Sequence, residues 1–137
     1  MLVEAKIRKI EPNRKLADDS LSRAKRDIET SETLIENEKF DWALAVAYNS
    51  MLQSGRALMF NSGYRPASTK GHVAVVEFLH EAFGIKISDR LITVMNGLRK
   101  KRHRIVYEES DIVSESEAEQ AVKWAKEFLE VIKNNLK

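Results

Sequence analysis

Apolar residues recur along most of the chain at the three-to-four spacing of one helix face, broken at a few points by proline, glycine, asparagine and serine. Leu21, Ala24, Ile28 and Ile35 make one such stripe with charges between them, and Asn13, just after Pro12, is placed to cap it. A second helical segment opens at Asp41, a good N-cap residue, and runs through an alanine-rich stretch to Asn61 and Gly63. A third covers Ser68 to Phe83, with Gly84 as its stop. Ser88 opens a fourth, whose stripe is Leu91, Val94 or Met95, Leu98 and Ile105. Ser114 and Glu117 have the spacing of a capping box ahead of Ala118, Ala121, Val122, Ala125, Phe128, Leu129 and Ile132. No strand is predicted, because the β-branched run from Val73 to Val76 is short and sits inside a helical period. Short connections make neighbouring helices antiparallel. The expected fold is therefore all-α, an up-and-down bundle of four to five helices in a single domain over residues 1–137, with 1–12 as a leader.

Composition narrows the function classes. A length of 137 residues suits one domain with its own core, and Gly 5 and Pro 2 are too few for an all-β chain rich in tight turns. The absence of cysteine excludes disulfides, thiolate metal sites and cysteine nucleophiles. A net charge of +2 is too balanced for a protein that grips duplex DNA over a whole face. The longest apolar run, Trp42 to Tyr48, falls well short of the roughly 20 residues a membrane span needs. Glu4 and Lys6 interrupt what would be the apolar part of a signal segment. A cytoplasmic protein with no membrane partner is expected, and neither a cofactor nor a metal.

The most unusual local feature is Arg99 to Arg104, RKKRHR, five basic side chains and a histidine in six residues. One reading is a solvated helix end: cations favour a helix C-terminus, and six acidic residues follow from Glu108 to Glu119. Arg102 resists it. Positions 91, 95, 98, 102 and 105 form one stripe, so Arg102 falls on the apolar face and needs a carboxylate, a carbonyl or a ligand phosphate there. Glu77 and His80 have the Glu-x-x-His spacing of di-iron bundles, but a second copy is missing, and His72 and His80 lie two turns apart. Both histidines are expected at the surface or an interface. A helix-turn-helix drawn across Gly84 would carry its basic residues at the wrong end of the reading helix. The few aromatics do not interleave the basic run, as a stacking platform would require.

Three segments resemble one family. FDWALAVAYNSMLQSGRALMFNSGYRP, residues 40–66, is similar to the central helix of HEPN domains, and TKGHVAVVEFL, residues 69–79, to a histidine-led third helix in several HEPN groups. LRKKRHRIVYEE, residues 98–109, resembles the family signature near the end of the fourth helix. The likeness runs from about Ala17 to Ile132. It implies a helical bundle, commonly a homodimer, often encoded beside a small nucleotidyltransferase or acting in toxin–antitoxin and defence systems. It also implies nucleotide or single-stranded RNA binding. Many members resemble metal-independent ribonucleases built on an arginine, four to six intervening residues and a histidine.

This chain departs from that motif. Five places after Arg102 stands Tyr107, and only three residues separate Arg99 from His103. The Arg102–Tyr107 register resembles members that end the motif in tyrosine and occur with nucleotidyltransferases. Tyrosine, with a pKa of about 10 against about 6.5 for histidine, makes a poor base near neutral pH. Losing general base catalysis costs roughly 10²- to 10⁴-fold. The expected function is a non-catalytic or weakly active module that binds nucleotide or RNA through Arg102, Tyr107, Arg99 and His103. The alternatives are a metal-independent endoribonuclease, for which Arg102, His103 and Arg99 are the catalytic candidates, and a helical interaction scaffold without ligand.

Overall fold

A computed structural model describes residues 7–67 and 71–136, and of 83–86 the backbone alone. Among the described residues five helices dominate: α1 (Arg14–Glu36), α2 (Phe40–Ser62), α3 (His72–Ile87), α4 (Asp89–Tyr107) and α5 (Glu115–Asn135). Two three-residue strands, β1 (Ile7–Lys9) and β2 (Tyr64–Pro66), pair antiparallel with Ile7 opposite Pro66, Arg8 opposite Arg65 and Lys9 opposite Tyr64. The chain is thus the all-α bundle that its periodicity predicts, with a small ribbon added.

α2 is the central element and packs against each of the other four helices. Its small residues make this possible. Ala43, Ala47, Tyr48, Met51, Ala57 and Met59 are fully buried, so α2 has no single polar face. Two buried serines stitch it to α1: Ser31 Oγ donates to the Ala43 carbonyl at 2.6 Å, and Ser50 Oγ donates to the Ala24 carbonyl at 2.8 Å. Against α3 there is no room for a side chain at Gly55, since a Cβ there would lie 2.7 Å from Val75 Cγ1.

The helix ends follow their sequence signals unevenly. Asn13 Oδ1 accepts from the Leu16 amide at 2.9 Å, and Ser114 with Glu117 forms the capping box. Asp41 does different work. α2 begins at Phe40, and the Asp41 carboxylate instead accepts from the backbone amides of Asp111, Ile112 and Val113 at 2.7, 3.2 and 3.0 Å. It clamps the connection between α4 and α5 onto the start of α2.

α3 does not stop at Gly84 but continues to Ile87. Burying the Ile87 side chain, 1% exposed, gains about 1.5–3 kcal/mol, which outweighs the ~1 kcal/mol a glycine costs inside a helix. The break falls at Ser88, whose φ of 80° lies in the left-handed region and whose Oγ accepts from the Leu91 amide at 3.3 Å. The expected start of this helix at Ser68, like Glu4 and Lys6, lies outside the described residues.

The strands correct the expectation of none, and Ile7–Lys9, within the segment 1–12, belong to the ribbon. Gly63, with φ of 89°, ends α2 in a left-handed conformation, and its carbonyl accepts from the Ile10 amide at 2.9 Å. Three-residue strands are too short to show a period of two, and Pro66 hides the second.

Candidate functional site

The basic run at the end of α4 separates into three groups by the direction each side chain takes. Lys101 pairs with Glu117 at 3.4 Å and Arg104 with Glu109 at 3.0 Å, the solvated arrangement that charge alone suggests. His103 and Tyr107, one turn apart, point outward with their rings tilted together at 4.8 Å between centroids, and Tyr107 is 71% exposed. Arg99 and Arg102 are half-buried on the inner side. Arg99 Nε donates to Asn96 Oδ1 at 3.0 Å. Arg102 Nε is buried, with no hydrogen-bond partner among the described residues.

α4 stays helical through Tyr107, so five residues of helical rotation separate that residue from Arg102. Arg102 and Tyr107 are therefore about 140° apart around the helix, while His103 and Tyr107 share one face.

What Arg99 and Arg102 face instead is a pair that no local motif marks. Tyr48, in the middle of α2, is fully buried, and its phenol oxygen lies 3.2 Å from Nδ1 of His72, the first residue of α3. The imidazole tautomer decides which of the two groups donates. His72 is half-buried.

Burial pushes the Tyr48 phenol up to about 12, against the opposing pull of Arg99, Arg102 and Arg56. Burial also lowers the His72 pKa, and Arg102, Arg56 and Arg99 lower it further. Arg56, from α2, is itself lowered by burial. Three guanidiniums from two helices thus act on one neutral tyrosine–histidine pair. Such an arrangement favours an anion with several acceptor oxygens, because guanidinium forks match phosphate geometry and an incoming negative charge would offset their mutual repulsion.

Glu77 and His80 line a separate cleft of about 450 Å³ between α3 and α4, together with Asn96. Among the described residues, no group of three histidine, aspartate or glutamate side chains is placed to hold a metal ion.

The family model for the HEPN domain matches residues 17–135, which takes in all of the inner cluster. The chain belongs to the HEPN domain family. A relative from Methanocaldococcus jannaschii, named "Putative toxin MJ0605", is 30% identical over 119 residues, covering 83% of this chain and 84% of that protein. The crystal structure of TT1696 from Thermus thermophilus has the same fold, with a TM-score of 0.71 and 16% identity over 86% of this chain and 96% of that one. Within this HEPN fold no described helix is long and apolar enough to cross a membrane.

Tyr48, His72 and Arg56 escape sequence reasoning for one physical reason. Tyr48 and Arg56 lie on α2 and His72 on α3, and they meet the arginines of α4 only because these three helices pack together. Arg102 alone carries a local signal, its place on the apolar stripe.

Proposed function

We propose that this HEPN domain binds the phosphates of a nucleotide or of single-stranded RNA at the site formed by Arg102, Arg99, Arg56 and His72. The carrying observation is Arg102 Nε, a cationic donor buried without an acceptor among the described residues. A buried donor left unpaired costs about 1–3 kcal/mol, and more when charged, so a scaffold without ligand has no use for it. A phosphate oxygen supplies the acceptor. The toxin name of the archaeal relative supports a role in a toxin–antitoxin-like system. A nucleotidyltransferase as partner protein is part of the same proposal.

The same reading assigns His103 and Tyr107 to contacts between proteins. Val106, 36% exposed, and Tyr107 put apolar and aromatic surface at the outer end of α4, which suits a homodimer made through that helix. Light scattering over a wide concentration range tests this, and a monomer at high micromolar concentration would contradict it.

Parallel melting curves with ATP and with a short RNA test the binding site. A ligand at about 100 times its Kd stabilises the wild type by about 2.7 kcal/mol. Arg102→Gln should lose this gain, and Lys101→Ala, whose side chain is tied to Glu117, should keep it. Equal behaviour of the two variants would contradict the reading.

One observation favours a ribonuclease as the second reading, with a different base. His72, held neutral beside three guanidiniums, is better placed than exposed His103 to take a proton from a 2′-hydroxyl. RNA cleavage in EDTA that His72→Ala abolishes and His103→Ala spares would establish it.

A further inference from the structure

Four arginines from four elements converge on a cleft of about 530 Å³ beside the β1–β2 ribbon: Arg8 of β1, Arg23 of α1, Arg56 of α2 and Arg65 of β2. Among the described residues, no aspartate or glutamate lines it. None of the four makes a hydrogen bond or an ion pair among the described residues. Exposed arginines are ordinarily just solvated, so the arrangement has to be judged on how it is held.

Three features set it apart from scattered surface charge. Arg8 and Arg65 are directly opposite in the antiparallel ladder, on the same face, where like charges repel. Arg56 is half-buried, and Arg23 adds to the repulsion it feels. The cleft also contains Phe60, whose half-buried ring is a surface for stacking, and Gln53, whose amide can both donate and accept. Arginines crowded without counter-charge, next to an aromatic ring, are the parts of a groove that tracks a single strand.

Arg56 connects this cleft with the site already described, because it acts on Tyr48 and His72 as well as standing beside Arg23. Arg56 is thus common to the two sets of cations. A free nucleoside triphosphate would need only one of the two places. We propose that the four-arginine cleft holds the phosphodiester backbone of single-stranded nucleic acid, as a continuation of the Arg102 site. The proposal rests on the reading of the Arg102 site as a phosphate site.

Fluorescence anisotropy of the full chain with a labelled single-stranded RNA of about twelve nucleotides, across a salt series, tests it. Each phosphate contact on a single strand contributes about 0.7 to the slope of log affinity against log salt. The double variant Arg8→Gln/Arg65→Gln should bind more weakly, with a slope shallower by about 1.4, similarly for oligo(U) and a mixed sequence. It should also melt no lower than wild type, since it relieves a like-charge pair. Unchanged affinity and slope in the double variant, with binding weakened by Arg102→Gln, would overturn the cleft and leave the Arg102 reading standing. Loss in the double variant alone would support the cleft and remove the Arg102 reading. Binding of ATP without any binding of RNA would likewise overturn the cleft while sparing the Arg102 site.

Discussion

His72 Nδ1 lies 3.2 Å from the phenol oxygen of Tyr48, so the first residue of α3 is tied to the buried middle of α2. That single contact holds the imidazole within the electrostatic influence of Arg102, Arg56 and Arg99, and it links the packing of the bundle to the chemistry of its candidate site. Tyr48→Phe conserves the volume but leaves Nδ1 without its partner. Urea unfolding should show a loss of about 1–2 kcal/mol. Anion binding should survive, because the arginines remain. An unchanged midpoint would mean that the contact contributes nothing.

His72 also makes stability depend on pH. Its pKa is lower in the folded state than the ordinary 6.5, so the unfolded chain binds the extra proton first. The stabilisation is fully present above about pH 6.5 and is lost as the pH falls through the folded value. Asp27 acts with the opposite sign at more acid pH, since burial raises its pKa and its contribution is lost as the pH rises past 3.8. The difference between wild type and His72→Gln isolates the histidine. A difference that is flat from pH 7 to about pH 5 would contradict the assignment.

Asp41→Ala removes the acceptor of three backbone amides at once. The expected cost is about 2–3 kcal/mol, with faster hydrogen exchange at residues 111–113 and a smaller loss in Asp41→Asn. If the only effect were a frayed α2 N-terminus, the carboxylate would be a helix cap after all.

Gly55→Ala should destabilise by about 1–3 kcal/mol, because the new methyl would meet Val75 Cγ1 at 2.7 Å and Leu79 Cδ1 at 3.1 Å. Combining it with Val75→Ala should recover part of the loss. Additive effects of the two changes would show that α2 and α3 do not approach each other this closely.

Much of the bundle is legible in the sequence because helices announce themselves locally. The α1 and α5 stripes, the Asn13 cap and the Ser114–Glu117 box are all read from residues a few places apart, and they hold in the structure. Asp41 shows the limit of such reading. Its place before an apolar run signals a cap, but a carboxylate goes where the most unsatisfied amides are, and those belong to residues seventy positions on. Gly84 is a stop signal overridden by the burial of Ile87, and β1 and β2 acquire their identity only by pairing with each other. The site divides in the same way. Arg102 is marked by its stripe, whereas the linear spacing to Tyr107 does not show that the helix, continuous through Tyr107, turns the two residues in different directions. Arg56, Tyr48 and His72 become neighbours of Arg102 only through the packing of α2, α3 and α4.

The central claim is that phosphate binds beside His72 at Arg102, Arg99 and Arg56, and the imidazole itself reports it. NMR titration of His72 should give a midpoint below 6.5 in the free protein, raised by saturating single-stranded RNA or ATP as the ligand's negative charge offsets the three guanidiniums. In Arg102→Gln the free midpoint should be higher than in wild type and the response to ligand lost. A His72 midpoint that saturating ligand does not move would contradict the account.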